Sequence, residues 1–174
     1  MDIFSEYMVK RKKRAVDYIK IVLSIVMIVG IVCLMPILPG LFPYVGVLLF
    51  LGCAGLIYLF YNIIIGTKVE YEYTFTNGSL DVDKIIAARR RKKITTLNAR
   101  GIEVMATLES NELDRYINDR SVKKYYACTS VNDAGVYAVV YSDDAKRYML
   151  LFNPNEEIKN GFKRLNPQKV FLED

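Results

Sequence analysis

Two apolar runs, IVLSIVMIVGIVCLMPIL at residues 21–38 and VGVLLFLGCAGLIYLFYNIIIG at residues 45–66, decide how this chain is organised. Neither holds a charged side chain, and Pro36, Pro39, Gly40 and Pro43 crowd the stretch around their junction. About 18 to 25 apolar residues in a helix reach across a hydrocarbon core roughly 30 Å thick. The pair therefore predicts a transmembrane helical hairpin, with helices over residues 18–38 and 44–66. A basic tail, 1–17, precedes it, and a strand-rich cytoplasmic domain, 69–174, follows. The first run is too long for a signal-peptide core and no small-residue cleavage pattern precedes Pro36, so it reads as an uncleaved anchor.

Charge sets the orientation. Lys10, Arg11, Lys12, Lys13, Arg14 and Lys20 flank one end of the hairpin and Lys68 the other, whereas the connection over residues 36–44 is uncharged. Positive charge stays on the cytoplasmic side, which predicts a multi-pass protein of the cell membrane with both termini in the cytoplasm. Ile3, Phe4, Tyr7 and Met8 fall on one helical face, so the tail reads either as a short amphipathic helix on the membrane or as a disordered segment. The chain has 24 Lys and Arg against 19 Asp and Glu, a net charge of +5. Much of the excess sits in the juxtamembrane cluster rather than in the domain, which removes the main support for nucleic-acid binding. With no histidine present, a Cys/His metal site and a histidine general base are both excluded. Cys33, Cys53 and Cys128 are odd in number and match no redox or zinc spacing. No metal and no cofactor are expected.

Beyond Gly66 the period of the sequence changes. Residues 69–76, VEYEYTFT, alternate apolar and polar, the mark of a half-buried strand. Asn77-Gly78 then gives the strongest short hairpin signal, because both residues tolerate positive φ. Further strands are expected over 79–88, 94–97, 101–106, 122–129, 135–142 and 146–153, with 110–119 a loop or a turn of helix. Asn153, Pro154 and Glu156 suggest N-cap, N1 and N3 of a helix. Its apolar face would be Ile158, Phe162 and Leu165, and Asn166-Pro167 would end it.

Seven strands followed by one amphipathic helix resemble a pleckstrin-homology-type barrel. The likeness is carried by the opening at residues 71–78, the LDVDKI strand at 80–85, the Asn-Pro-Asn-Glu start at 153–156, and the ending Leu165-Asn166-Pro167 with Val170-Phe171. The chain is thus similar to bacterial two-helix membrane proteins with a C-terminal PH-like domain, an uncharacterised family. The resemblance implies a membrane-anchored α+β protein, a seven-stranded barrel with a C-terminal capping helix that buries Ile158, Phe162 and Leu165. It implies binding of phosphoinositide headgroups or of protein partners rather than catalysis. Members that bind phosphoinositides carry basic residues between their first two strands. Here that link is the tight Asn77-Gly78 turn, so no lipid site is carried over.

The run Arg89, Arg90, Arg91, Lys92 and Lys93 is the candidate contact for anionic lipid or a partner. On a strand about half of it faces each way, and the competing reading is a solvated run that protects a sheet edge. The carboxylate pairs Glu70/Glu72, Asp81/Asp83, Asp143/Asp144 and Glu156/Glu157 fit outer strand faces, a turn and a helix start, so no catalytic residue is assigned. The expected function is a membrane-anchored binding or scaffolding module that engages a protein partner or anionic inner-leaflet lipid. The alternative is an accessory subunit of a larger membrane transport or envelope-synthesis complex. The oligomeric state stays open.

Overall fold

The computed structural model describes residues 4–37, 40 and 46–172. It divides into two units: one joins the segment ending at Lys12 to the chain from Val69 onward, and the other is Lys13–Lys68. In the second unit, helices α1 (Ala15–Leu34) and α2 (Gly46–Gly66) are both long and apolar enough to cross a membrane. Only 17% of the apolar window of α1 and none of that of α2 is buried. A core helix of a soluble protein would be mostly covered, and these are not. Asp17 opens α1 by accepting the backbone N–H of Arg14 at 2.9 Å. The connection expected over residues 36–44 lies largely outside the described residues.

The other unit holds two four-stranded sheets. The first is built from β1 (Phe4–Lys10), β2 (Val69–Thr76), β3 (Ser79–Ile86) and β4 (Arg90–Asn98), antiparallel and in that order. β1 overturns the expected helix or disordered tail: Lys10 pairs with Glu70 and Phe4 with Thr76, so the N-terminal segment completes a sheet whose other strands follow α2. The alternation read in residues 69–76 places Val69, Tyr71, Tyr73 and Phe75 in the core. Asn77 and Gly78 take φ of 49° and 95° in the β2–β3 turn. β3 ends earlier than expected, because Ala87 and Ala88 themselves take positive φ and turn the chain. The basic run consequently lies mostly inside β4 instead of ahead of it.

The second sheet contains β5 (Ile102–Thr107), β6 (Lys123–Ala127), β7 (Tyr137–Asp143) and β8 (Lys146–Phe152) in the order β5-β7-β8-β6. β6 runs parallel to β8, and the other pairs are antiparallel. Residues 169–171 flank β5, with the Met105 N–H donating to the Lys169 carbonyl and the Phe171 N–H to the Met105 carbonyl, both at 2.8 Å. In place of the expected seven-stranded barrel, the described residues hold eight strands in two sheets that do not close. The extra strand is β1, contributed from across the helical pair.

Helix α4 (Glu156–Leu165) buries Ile158 and Phe162 completely, Phe162 against Phe75 and Phe152. Its cap is Asn155, whose side chain accepts from the Ile158 N–H at 3.0 Å. The expected cap, Asn153, instead accepts the Thr129 N–H at 2.8 Å, which moves the helix start two residues along. The segment over 110–119, expected as a loop or a turn of helix, holds a 3-10 turn (Asn111–Leu113) and a short helix α3 (Asp114–Ile117). Leu113 and Tyr116 from it join a second cluster with Val104, Val140, Met149 and Leu151. The second sheet is thus covered on both faces, which explains its near-continuous apolar strands.

Candidate functional site

The basic strand β4 is an edge of the first sheet, and its register determines what each cation can do. A bulge falls where Val82 pairs with Thr95 but Asp83 pairs with Lys93. The inserted residue reverses the alternation, as bulges do, so Thr95 faces the core and hydrogen-bonds Tyr141. Arg91 and Lys93 face outward, on the same side as Glu70, Glu72, Asp81 and Asp83.

That outer face is a lattice of opposite charges. Arg91 donates to Glu72, whose side chain is only 6% exposed, and its other terminal nitrogen lies 3.7 Å from Asp83. Lys93 sits 2.8 Å from Asp81, which also accepts from Thr96. The hydrogen bonds from Lys93 and Thr96 hold the Asp81 carboxyl below its usual range, and the bond to Asp81 raises Lys93 in turn. Cross-strand pairs of opposite charge stabilise a sheet modestly, but a buried carboxylate such as Glu72 needs its partner. Two of the five cations are therefore engaged with their own sheet.

Arg89, Arg90 and Lys92 differ. All three are exposed, and among the described residues none makes an ion pair. Register puts Arg90 and Lys92 on the side of Lys84 and Tyr71, opposite the acidic lattice. The run is thus split: Arg91 and Lys93 pair with carboxylates of their own sheet, whereas Arg89, Arg90 and Lys92 make no ion pair among the described residues. A cleft of about 570 Å³ between residues 107–109 and 131–136 is lined by Glu109 and Asp133 and by none of these cations. The three lie on the exposed surface rather than in a cleft.

The juxtamembrane cluster is distributed along one path of chain. Lys10 lies 3.7 Å from Glu70, and the Arg11 N–H donates to the Val69 carbonyl at 2.9 Å. Lys12 reaches Asp133 at 2.7 Å, a bond that lowers the Asp133 carboxyl together with one from Thr129. Lys13 lies 5.9 Å over the Tyr18 ring, and Arg14 caps α1. Lys10 and Lys12 thus help fix β1 to the domain.

Two arrangements were not apparent from the sequence. Tyr148 stacks on Tyr125 and Tyr141, with centroids 5.7 and 5.5 Å apart, and Lys123 covers Tyr125 at 5.3 Å. Alternation placed these tyrosines on strands but could not bring β6 beside β8. Glu103 accepts from Ser142 at 2.6 Å, Tyr116 at 3.1 Å and Arg147 at 3.2 Å. Burial pushes the Glu103 carboxyl up, but these three donors outweigh it and leave it below the ordinary value. Held by three donors, that carboxylate ties α3 to the second sheet. Against known proteins, a family model described as a bacterial PH-like domain (DUF6106) matches residues 1–172. No curated protein and no solved structure matches the chain.

Proposed function

Because the chain belongs to the bacterial PH-like domain family (DUF6106), we propose that it is a membrane-anchored binding module whose PH-like unit engages anionic headgroups of the inner leaflet. PH-like domains are generally binding modules without catalytic activity, which supports a binding role. The exposure of both apolar helices supports the membrane anchor. β1 and β2 lie side by side although α1 and α2 separate them in the chain. That pairing supports a reading in which residues on both sides of the helical pair occupy one compartment and the chain crosses an even number of times. The basic flanks support the cytoplasm as that compartment.

The observation that carries the lipid reading is the unpaired half of the basic run. Val69 opens β2 directly after α2 and pairs with Ile86, which in turn pairs with Arg90. The strand ends that join the anchor and the patch of Arg89, Arg90 and Lys92 thus share one end of the sheet. A cation close to an anionic surface contributes around 1 kcal/mol, so the three together supply about 3 kcal/mol.

The test uses the full chain in nanodiscs, with Cys33, Cys53 and Cys128 replaced by Ser and a spin label at Ala88→Cys. Anionic lipid should shield the label from a water-soluble relaxation agent more than zwitterionic lipid does. High salt should remove the difference, since screening acts over about 8 Å already at physiological ionic strength. Arg89, Arg90 and Lys92 changed together to Gln should abolish it. Equal accessibility in the two lipids at low salt would refute the reading.

A further inference from the structure

We propose that β1 is a dimerisation edge, pairing antiparallel with β1 of a second copy of this chain. β1 is the outer strand of its sheet, with β2 on one side only. The Arg11 N–H donates to Val69, the next pair in the β1–β2 register after Lys10 and Glu70. In an antiparallel ladder the bonded residues alternate, so Ser5, Tyr7 and Val9 spend their backbone groups on β2. Phe4, Glu6, Met8 and Lys10 direct theirs to the outer edge. The Lys12 N–H, two residues beyond Lys10, does point that way, donating to Thr129 at 2.9 Å. The N–H groups of Glu6, Met8 and Lys10 have no partner among the described residues.

An edge of this kind templates another strand, and the side chains specify which. Only registers that set even-numbered residues against even-numbered ones satisfy the open backbone groups. Glu6 opposite Glu6 of the second copy would oppose like charges, and Glu6 opposite Met8 leaves the charge unmatched. The remaining central register sets Glu6 against Lys10 of the second copy at both ends and Met8 against Met8 on the two-fold axis. On the inner face it brings Tyr7 to Val9. The self-complementary order of Glu6, Met8 and Lys10 makes the second copy the occupant, rather than a strand of another protein. The side chains concerned are accessible, with Met8 47% and Phe4 64% exposed. Joining the two edges turns two four-stranded sheets into one continuous sheet across the dimer.

Bonded partners in such a pair have Cα atoms about 5.5 Å apart, inside the roughly 4.4 to 6.8 Å span of a disulfide. The full-length protein in mild detergent, with its three native cysteines changed to Ser, should therefore form a disulfide dimer at Met8→Cys under gentle oxidation. Phe4→Cys, more accessible but far from its own copy in this register, should give at least tenfold less. The mass of the wild-type protein–detergent complex should correspond to two chains, and Glu6→Lys should shift it towards one. A wild-type monomer at every concentration would overturn the proposal, whether or not Met8→Cys folds. Equal cross-linking at positions 4 and 8 would overturn it as well.

Discussion

Replacing Gly161 by alanine sets helix propensity against packing, and the structure decides the sign. Gly161 lies inside α4, where alanine normally gains about 1 kcal/mol over glycine. A Cβ built there falls 2.6 Å from Cε1 and 3.0 Å from Cζ of Phe75. The ring cannot yield easily: Phe75 is fully buried, and its centroid lies 5.3 Å from that of Phe162, also fully buried. Overpacking of this kind costs about 1 to 3 kcal/mol. The balance is a net loss of roughly 1 kcal/mol, which for a unit of this size lowers Tm by about 4 °C. The assay is thermal melting of the full-length protein in mild detergent, followed by the near-ultraviolet signal of its 13 tyrosines, since it contains no tryptophan. In a Phe75→Leu background the clash disappears, and the same change should become neutral or stabilising. A raised Tm for Gly161→Ala alone, or an identical loss with Leu at position 75, would refute the reasoning.

The topology yields a second test: Gly40→Cys, in the cysteine-free background, should react with an impermeant thiol reagent on intact cells while cysteines at the exposed positions Lys13 and Lys163 stay silent. The reverse pattern would invert the orientation. Acid provides another. The Asp81 carboxyl is held below its unfolded value by Lys93 and Thr96, so its contribution is present above about pH 4 and fades as pH falls through the folded pKa. Urea midpoints measured from pH 6 down to pH 3 should fall less steeply for Asp81→Asn than for wild type, and parallel curves would contradict the bond.

Much of the first sheet could be read locally. The alternation over residues 69–76 and the Asn77-Gly78 turn are contiguous signals, and both appear in β2 and its turn to β3. β1 was hidden for two reasons. Its inward positions include polar Ser5 while Met8 points out, so its period of two is blurred. Its partner also lies beyond two helices. The β3–β4 turn was missed because Ala87 and Ala88 carry no turn signature, although both adopt the left-handed conformation that costs L-residues about 1 kcal/mol or more. The parallel β6–β8 pair depends on a crossover that no local pattern encodes. The division of the basic run was equally out of reach. Which cations are paired depends on Glu72, Asp81 and Asp83 of neighbouring strands and on a bulge at Ile94.

The pairing of β1 with β2 makes the helical pair act as the turn of a β-hairpin. A flexible linker spanning residues 13–68 would carry a closure entropy roughly 2 kcal/mol worse than a turn of a few residues. Two helices that come back together deliver their ends as neighbours and remove most of that penalty. β1 is made before β2, and its backbone has no strand of this sheet to pair with until β2 has been synthesised, so its docking follows assembly of the helices. A substitution that loosens the contact between α1 and α2 therefore restores the penalty and loosens β1 without altering a single residue of the sheet. Hydrogen exchange at the amides of Tyr7 and Val9 would then report on the integrity of the helical pair.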